Sequence, residues 1–244
     1  MNLATGKPNV EIAQEHSAKV LLQVGSVKEG MEAIASGADG IIAQGSEAGG
    51  HGLRREKGCG TLSLANRLVK LAAEAAHSPI VLAAGGIADG RGVAAALALG
   101  CDGAVLGTRL WASKEALNNK LLKNELVAAG SCDNVHRTRV FDQIQNSYSA
   151  TPWPDPYDSV GALRNNLSEK WDSNAPGLDL ELAREESSLA SEYKAASEAG
   201  DGKIAAVLAG EGVGEIDSID VAYDIIQRID KEARDIISSM SNLL

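Results

Sequence analysis

A histidine set in a run of glycines is the first feature of this sequence that could do chemistry. His51 stands near the end of Ala43-Gln44-Gly45-Ser46-Glu47-Ala48-Gly49-Gly50-His51-Gly52, in a loop that follows an aliphatic run. Its imidazole can take up and return a proton near neutral pH. His51 is therefore the candidate acid/base residue, with Glu47 either orienting it or capping the loop. Two glycine turns form the second feature: Gly85-Gly86 and Gly107-Thr108 each follow a short apolar run. Without a Cβ the backbone can approach a phosphate closely, its amides can point inward, and a following helix N-terminus adds favourable partial charge. One such pair is most often a plain tight turn, but two on successive strands read as a phosphate cradle.

The remaining polar and aromatic residues carry blander readings. His16, His77 and His136 are read as surface residues, because a lone histidine titrates near neutrality without special design. Cys59 follows His51 by eight residues, but sequence proximity in a loop does not make a Cys-His pair. Arg54-Arg55-Glu56-Lys57 reads as solvated surface. Arg109 either supports the glycine turn or pairs structurally, and Trp111, Trp153 and Trp171 read as packing anchors.

The elements that must position these residues alternate short aliphatic runs with Ala-rich helical stretches, which is βα repetition. Strands are predicted over Val20–Val24, Gly40–Ala43, Ile80–Ala83 and Ala104–Leu106. Ser26 is expected to cap a helix that runs to about Ser36, Asp89 to cap one that ends near Leu99, and Ser113 to open one that reaches Ala129. A further helix is expected from Ser63 to Ala76. Strands joined by crossover helices require a parallel sheet, and either a barrel or a doubly wound sheet would satisfy the pattern. After Gly130 the character changes: His136–Ile144 reads as a strand or an extended arm. Thr151–Tyr157 cannot be regular helix, because its prolines lack amide donors and restrict their predecessors. Leu178–Ala199 and Ser218–Ser239 read as packing helices, the second with Ile219, Val221, Ala222, Ile225, Ile226, Ile229 and Ile236 as its apolar stripe.

Composition narrows the function classes. Hydrophobic residues make up 44% of the 244, yet aromatic ones only 3%, so the core must be built from Ala, Val, Ile and Leu, which suits tightly packed α/β layers. A net charge of -10 argues against binding to nucleic acid or to anionic membranes. Three cysteines without CxxC spacing suggest neither a disulfide framework nor a metal site. With no signal-like or membrane-spanning apolar run, the expectation is a cytoplasmic protein.

Three segments together resemble a known family. Gln44-Gly45-Ser46-Glu47-Ala48-Gly49-Gly50-His51-Gly52, Ala83-Ala84-Gly85-Gly86-Ile87-Ala88-Asp89-Gly90 and Leu106-Gly107-Thr108-Arg109 are similar to nitronate monooxygenases, formerly called 2-nitropropane dioxygenases. Pro152–Trp171 looks like the C-terminal region of fungal members. The resemblance implies an α/β TIM barrel that binds FMN, with the phosphate at Gly85, Gly86, Gly107 and Thr108, and with Gln23, Gln44 and Gly50 lining the same cavity. It makes His51 the catalytic base and implies no metal. The implied reaction is the oxidation of an alkyl nitronate by molecular oxygen to a carbonyl compound and nitrite.

A full TIM barrel has eight βα units, whereas four are recognisable here, and they look like units five to eight. The expected division is an FMN-binding half barrel over 1–130, an extended wrapping segment over 131–177 and a helical C-terminal extension over 178–244. Such a half barrel leaves strand edges open. A fragment, a truncated gene product, or a chain closed as a homodimer or by a complementing half barrel would all fit. Two other readings share the glycine loops: an NADH-dependent enoyl-thioester reductase and a noncatalytic remnant.

Overall fold

A computed structural model describes residues 6–240. After a first helix, α1 (Gly6–Glu15), the chain makes β1 (Leu21–Val24), α2 (Val27–Ala35) and β2 (Gly40–Gln44). A two-residue strand, β3 (Gly50–His51), then precedes α3 (Thr61–Glu74), β4 (Ile80–Ala84), α4 (Gly90–Ala98) and β5 (Gly103–Val105). The parallel sheet has the order β1-β2-β4-β5. This sequential order decides between the two architectures left open above, because a doubly wound sheet reverses its strand order. Successive crossovers of one hand advance in one direction and put their helices on one face, as in a barrel wall.

That arrangement gives the sheet two unlike faces. Leu22, Val24, Ile41, Ala43, Val81 and Ala83 point toward α2 and α3 and join Leu64 and Leu68 in one core, all of them nearly inaccessible. Burying each larger aliphatic side chain contributes about 1.5–3 kcal/mol. The opposite face carries Leu21, Gln23, Ile42, Gln44 and Leu82. There Leu21, Ile80 and Val105 remain 37%, 43% and 37% exposed. Helices therefore cover one face only, as a barrel wall requires.

The helix starts follow local chemistry. Ser26 caps α2 in a full capping box, its side chain accepting from the Glu29 amide while Glu29 reaches back, and Asp89 caps α4 by accepting from the Gly92 amide. The helix expected over Ser113–Ala129 starts late: a short α5 (Thr108–Trp111) ends before Ser113, and α6 (Lys120–Ala129) supplies only the later part of the range. Asn119 caps the second, and buried Lys123 turns back to donate to the carbonyls of Ser113 and Ala116.

Residues 131–177 hold more regular structure than an extended segment would. β6 (Val135–Thr138), α7 (Val140–Asn146), β7 (Val160–Leu163) and α8 (Asn166–Trp171) lie there, with irregular chain at 147–159. The expected strand-or-arm over His136–Ile144 is thus a strand followed by a helix. β6, β7 and β3 form an antiparallel sheet in the order β3-β7-β6. Its cross-pairing sets Gly50 opposite Gly161 and His51 opposite Val160.

The expected helix over Leu178–Ala199 is also broken, into α9 (Ala175–Leu182) and α10 (Leu189–Ala199). The break falls at Arg184–Ser188, where Ser187 and Ser188 bond locally, a habit that favours turns over helix interiors. α11 (Ala222–Met240) packs on α4 and buries Ile225, Ile229 and Ala233. Ile226, expected in the apolar stripe, is 46% exposed.

Candidate functional site

The site forms where the open face of the parallel sheet meets the loop after β2 and the antiparallel sheet. The loop is tied down by hydrogen bonds on both sides. Gly45 donates to Ala84 O, Ser46 to Cys59 O, and Ala48 turns back on Gly45 O. Arg137 of β6 grips it from the other side, donating to the carbonyls of Ala48 at 2.7 Å, Ser159 at 3.1 Å and Gly50 at 3.3 Å. Burial lowers the Arg137 pKa to about 10, so the guanidinium stays charged at neutral pH.

These bonds deliver His51 on a strand with its backbone carbonyl accepting from Gln44 Nε2 at 2.9 Å. The imidazole has two partners. Nε2 lies 2.7 Å from Oδ1 of Asp142 on α7, a carboxylate that is 1% exposed. The Trp153 ring stacks on the imidazole with centroids 3.9 Å apart and planes 16° from parallel. Neither Glu47 nor Cys59 bonds the ring among the described residues. Glu47 settles into the capping alternative: its carboxylate accepts from the Thr61 amide at 2.6 Å and the Thr61 hydroxyl at 2.5 Å, at the start of α3.

Two cavities flank this point. The first, of about 260 Å³, is lined by Gln23, Gln44, Gly50, Gly85, Gly86, Gly107 and Thr108, the full set expected to surround a cofactor. Ala48, Trp111, Gly210 and Gly212 are also part of its wall. Gly85 and Gly86 have φ of +115° and +69°, a region open to glycine at little cost. A Cβ on Gly85 would also stand 2.7 Å from Thr61 Oγ1. At Gly107 a Cβ would meet nothing within 4 Å, so this side of the cradle is open space. The Gly86, Ile87 and Gly107 amides carry no hydrogen bond among the described residues. The Gly210 amide donates to Thr108 Oγ1, which leaves that hydroxyl its own hydrogen to give.

The second cavity, of about 360 Å³, is lined by Leu21, Gln23, Ile42, Gln44, His51, Leu53, Trp153 and Tyr157. Gln23 and Gln44 border both cavities. A strap over 151–159 closes this chamber, held by Asp158, which accepts two bonds from Arg54 at 2.7 and 2.8 Å and two from Arg139 at 3.0 and 2.7 Å. Burial pushes the Asp158 carboxyl up, but those hydrogen bonds prevail and hold it below its ordinary range. Arg54 is therefore a structural anchor, not solvated surface.

The profile of the nitronate monooxygenase family matches residues 2–232. The chain belongs to that family. It is 35% identical over 229 residues to the nitronate monooxygenase npaC of Metarhizium robertsii, covering 91% of this chain and 60% of that protein. Among solved structures it is similar to FabK from Thermotoga maritima, with a TM-score of 0.75, 26% identity, and coverage of 98% of this chain and 68% of that one. It is equally similar to nitroalkane oxidase from Streptomyces ansochromogenes, with a TM-score of 0.75, 25% identity, and coverage of 96% and 62%. The chain thus spans about three fifths of the length of that curated relative. The α/β fold with TIM-barrel-type βα units is that of these neighbours.

Sequence reasoning missed Asp142, which is 91 residues from His51 and lay in a segment without a clear element type. Trp153 was expected to anchor packing, and instead covers the imidazole. His136 is 5% exposed, not on the surface, and burial lowers its pKa. Arg109 takes the structural alternative: it is 2% exposed and donates to Ser218 O. The α4 N-terminus is not spare for a phosphate either, since Glu232 takes the Gly90 amide and Asp89 the Gly92 amide.

Proposed function

We propose that this chain carries the flavin-phosphate site and the proton-transfer residue of an enzyme that oxidises alkyl nitronates with molecular oxygen to a carbonyl compound and nitrite. The observation that carries the reading is the position of His51, beside an apolar chamber that shares Gln23 and Gln44 with a glycine-lined cavity.

The residues fit FMN. A phosphate needs backbone amides within reach and no side chain in its way; Gly85, Gly86 and Gly107 line the cavity with bare backbone, Gly107 facing open space, and Thr108 adds a hydroxyl. Gln23, Gln44 and Gly50 would border the ring system. FMN, when bound, supplies the electron acceptor that couples the substrate to oxygen. The chain's own residues do the rest. Leu21, Ile42, Leu53 and Trp153 exclude water from the alkyl group. His51 removes the α-proton of a nitroalkane, or holds a nitronate that arrives already ionised.

In this reading residues 1–130 provide the half barrel, 131–177 bring Trp153 and Asp142 over it, and 178–244 pack outside while Gly210 and Gly212 reach the cradle. A homodimer or a complementing half barrel would close the open sheet face. Three free cysteines suit a reducing cytoplasm. Among the described residues no helix is long and apolar enough to cross a membrane.

The test is nitrite release from a primary nitronate by FMN-loaded protein, compared with its His51→Asn variant. Turnover of the neutral nitroalkane should fall by roughly 10²–10⁴ in the variant. NADH oxidation with an enoyl thioester in place of nitrite release would replace the reading with the reductase alternative.

A further inference from the structure

We infer that Asp142 is a positioning residue that locks His51 in one tautomer, with the proton on Nε2, so that Nδ1 is the nitrogen that exchanges protons with a ligand in the apolar chamber. The inference rests on the proposed acid/base role of His51 for its consequence in turnover, but the lock itself is a property of the free protein.

Three observations carry it. The Nε2–Oδ1 distance of 2.7 Å is that of a charge-assisted hydrogen bond. A carboxylate can only accept, so Nε2 must donate, and the neutral imidazole then has its lone pair on Nδ1. Second, the ring is held in place on one face and at its backbone. Trp153 lies flat against one face, while the Gln44 bond to His51 O and the pairing of His51 with Val160 fix the backbone. Nδ1 has no protein partner among the described residues, and His51 lines the chamber.

Third, Asp142 is not explained by its own helix. It lies in the first turn of α7, where an acidic residue can cap backbone amides, yet one oxygen is on His51 and Oδ2 is buried without a partner. A 98%-buried carboxylate side chain held this way is costly for packing alone. The charged group that faces the pair from β6 is Arg137, close enough to Asp142 for the two charges to interact. From the strap, Trp153 brings a ring without charge.

In the proton step, a C–H bond of the substrate breaks as an N–H bond forms at Nδ1. The electron pair stays on the substrate as the nitronate. His51 becomes an imidazolium whose Nε2–H still donates to Asp142, so the carboxylate stabilises the charge that forms. Asp142→Asn removes that charge and offers an amide N–H toward Nε2, which favours the opposite tautomer. Asp142→Glu keeps the acceptor.

The experiment is nitrogen-detected NMR of the His51 ring in 15N-labelled protein, with Asp142→Asn and Asp142→Glu alongside. The expected result is a proton on Nε2 in the parent chain and in Asp142→Glu, and its shift to Nδ1 in Asp142→Asn. With FMN loaded, Asp142→Asn should lose on the order of 10²-fold in turnover of a neutral nitroalkane but less than about 10-fold with a preformed nitronate, which needs no proton removed. A proton on Nδ1 in the parent chain, or a tautomer that Asp142→Asn leaves unchanged, would overturn the inference. If the tautomers behave as expected but neither substrate is turned over, the lock stands and the proposed activity fails.

Discussion

At the residue scale, the site is a histidine whose chemistry is set by what holds it. His51 was legible in the sequence because glycines surround it, while its carboxylate partner was not. No spacing rule links two residues 91 apart when one sits on a strand and the other on a helix of a later segment. The cradle glycines were legible for the opposite reason: each pair begins within two residues of a strand end, so strand and turn are read together. They also separate cofactor binding from folding. Gly107→Ala adds a methyl into open space at an ordinary backbone angle. The thermal midpoint should hardly move, while FMN affinity should weaken at least about 10-fold as the methyl meets the phosphate. Gly85→Ala forces a strained φ and a 2.7 Å approach to Thr61 Oγ1, so it should lower both stability, by roughly 1–3 kcal/mol, and FMN binding. Melting curves with FMN titrations on the two variants read the difference.

At the scale of elements, short-range signals were read well and long-range ones poorly. Ser26 and Asp89 act as the caps their positions suggested, because a cap acts over three residues. The helix expected over Ser113–Ala129 starts only at Lys120, and the one expected over Leu178–Ala199 breaks at polar residues that pattern alone reads through. β3 was invisible, since two residues pair only because β7 arrives beside them. The strap over 151–159 depends on Asp158 and its two arginines, and it gives a pH dependence. Because the folded Asp158 pKa is depressed, its contribution to stability is present above the unfolded value near about 4. It is lost as pH falls through the lower folded value. Asp158→Asn should therefore destabilise the protein at neutral pH and flatten the acid limb of its stability curve. Trp153 fluorescence, against pH, should show the strap loosening in acid in the parent, and already loosened at neutral pH in the variant with little further change in acid.

At the scale of the whole molecule, the sequence pattern identified parallel βα repetition, and the strand order resolved the architecture. One face of the sheet is closed by helices, and the other is given over to cavities whose lining is half apolar and half glutamine and glycine. That division explains why a chain spanning about three fifths of its curated relative still brings the expected cofactor residues into one cavity. α11 is the outer brace of the wall, and Ile229 is one of its buried contacts. Ile229→Ala should cost about 2–5 kcal/mol in chemical denaturation, with the FMN affinity of the folded fraction unchanged, because the cavity lies on the other side of the sheet.

Flavin retention tests the account most directly. The purified chain is mixed with excess FMN, passed through gel filtration, and its visible spectrum recorded beside that of Gly107→Ala. The account predicts flavin bands that travel with the protein at close to one FMN per chain, and that are weakened in the variant. A colourless protein peak from a folded chain, or bands of equal strength in both proteins, would contradict it.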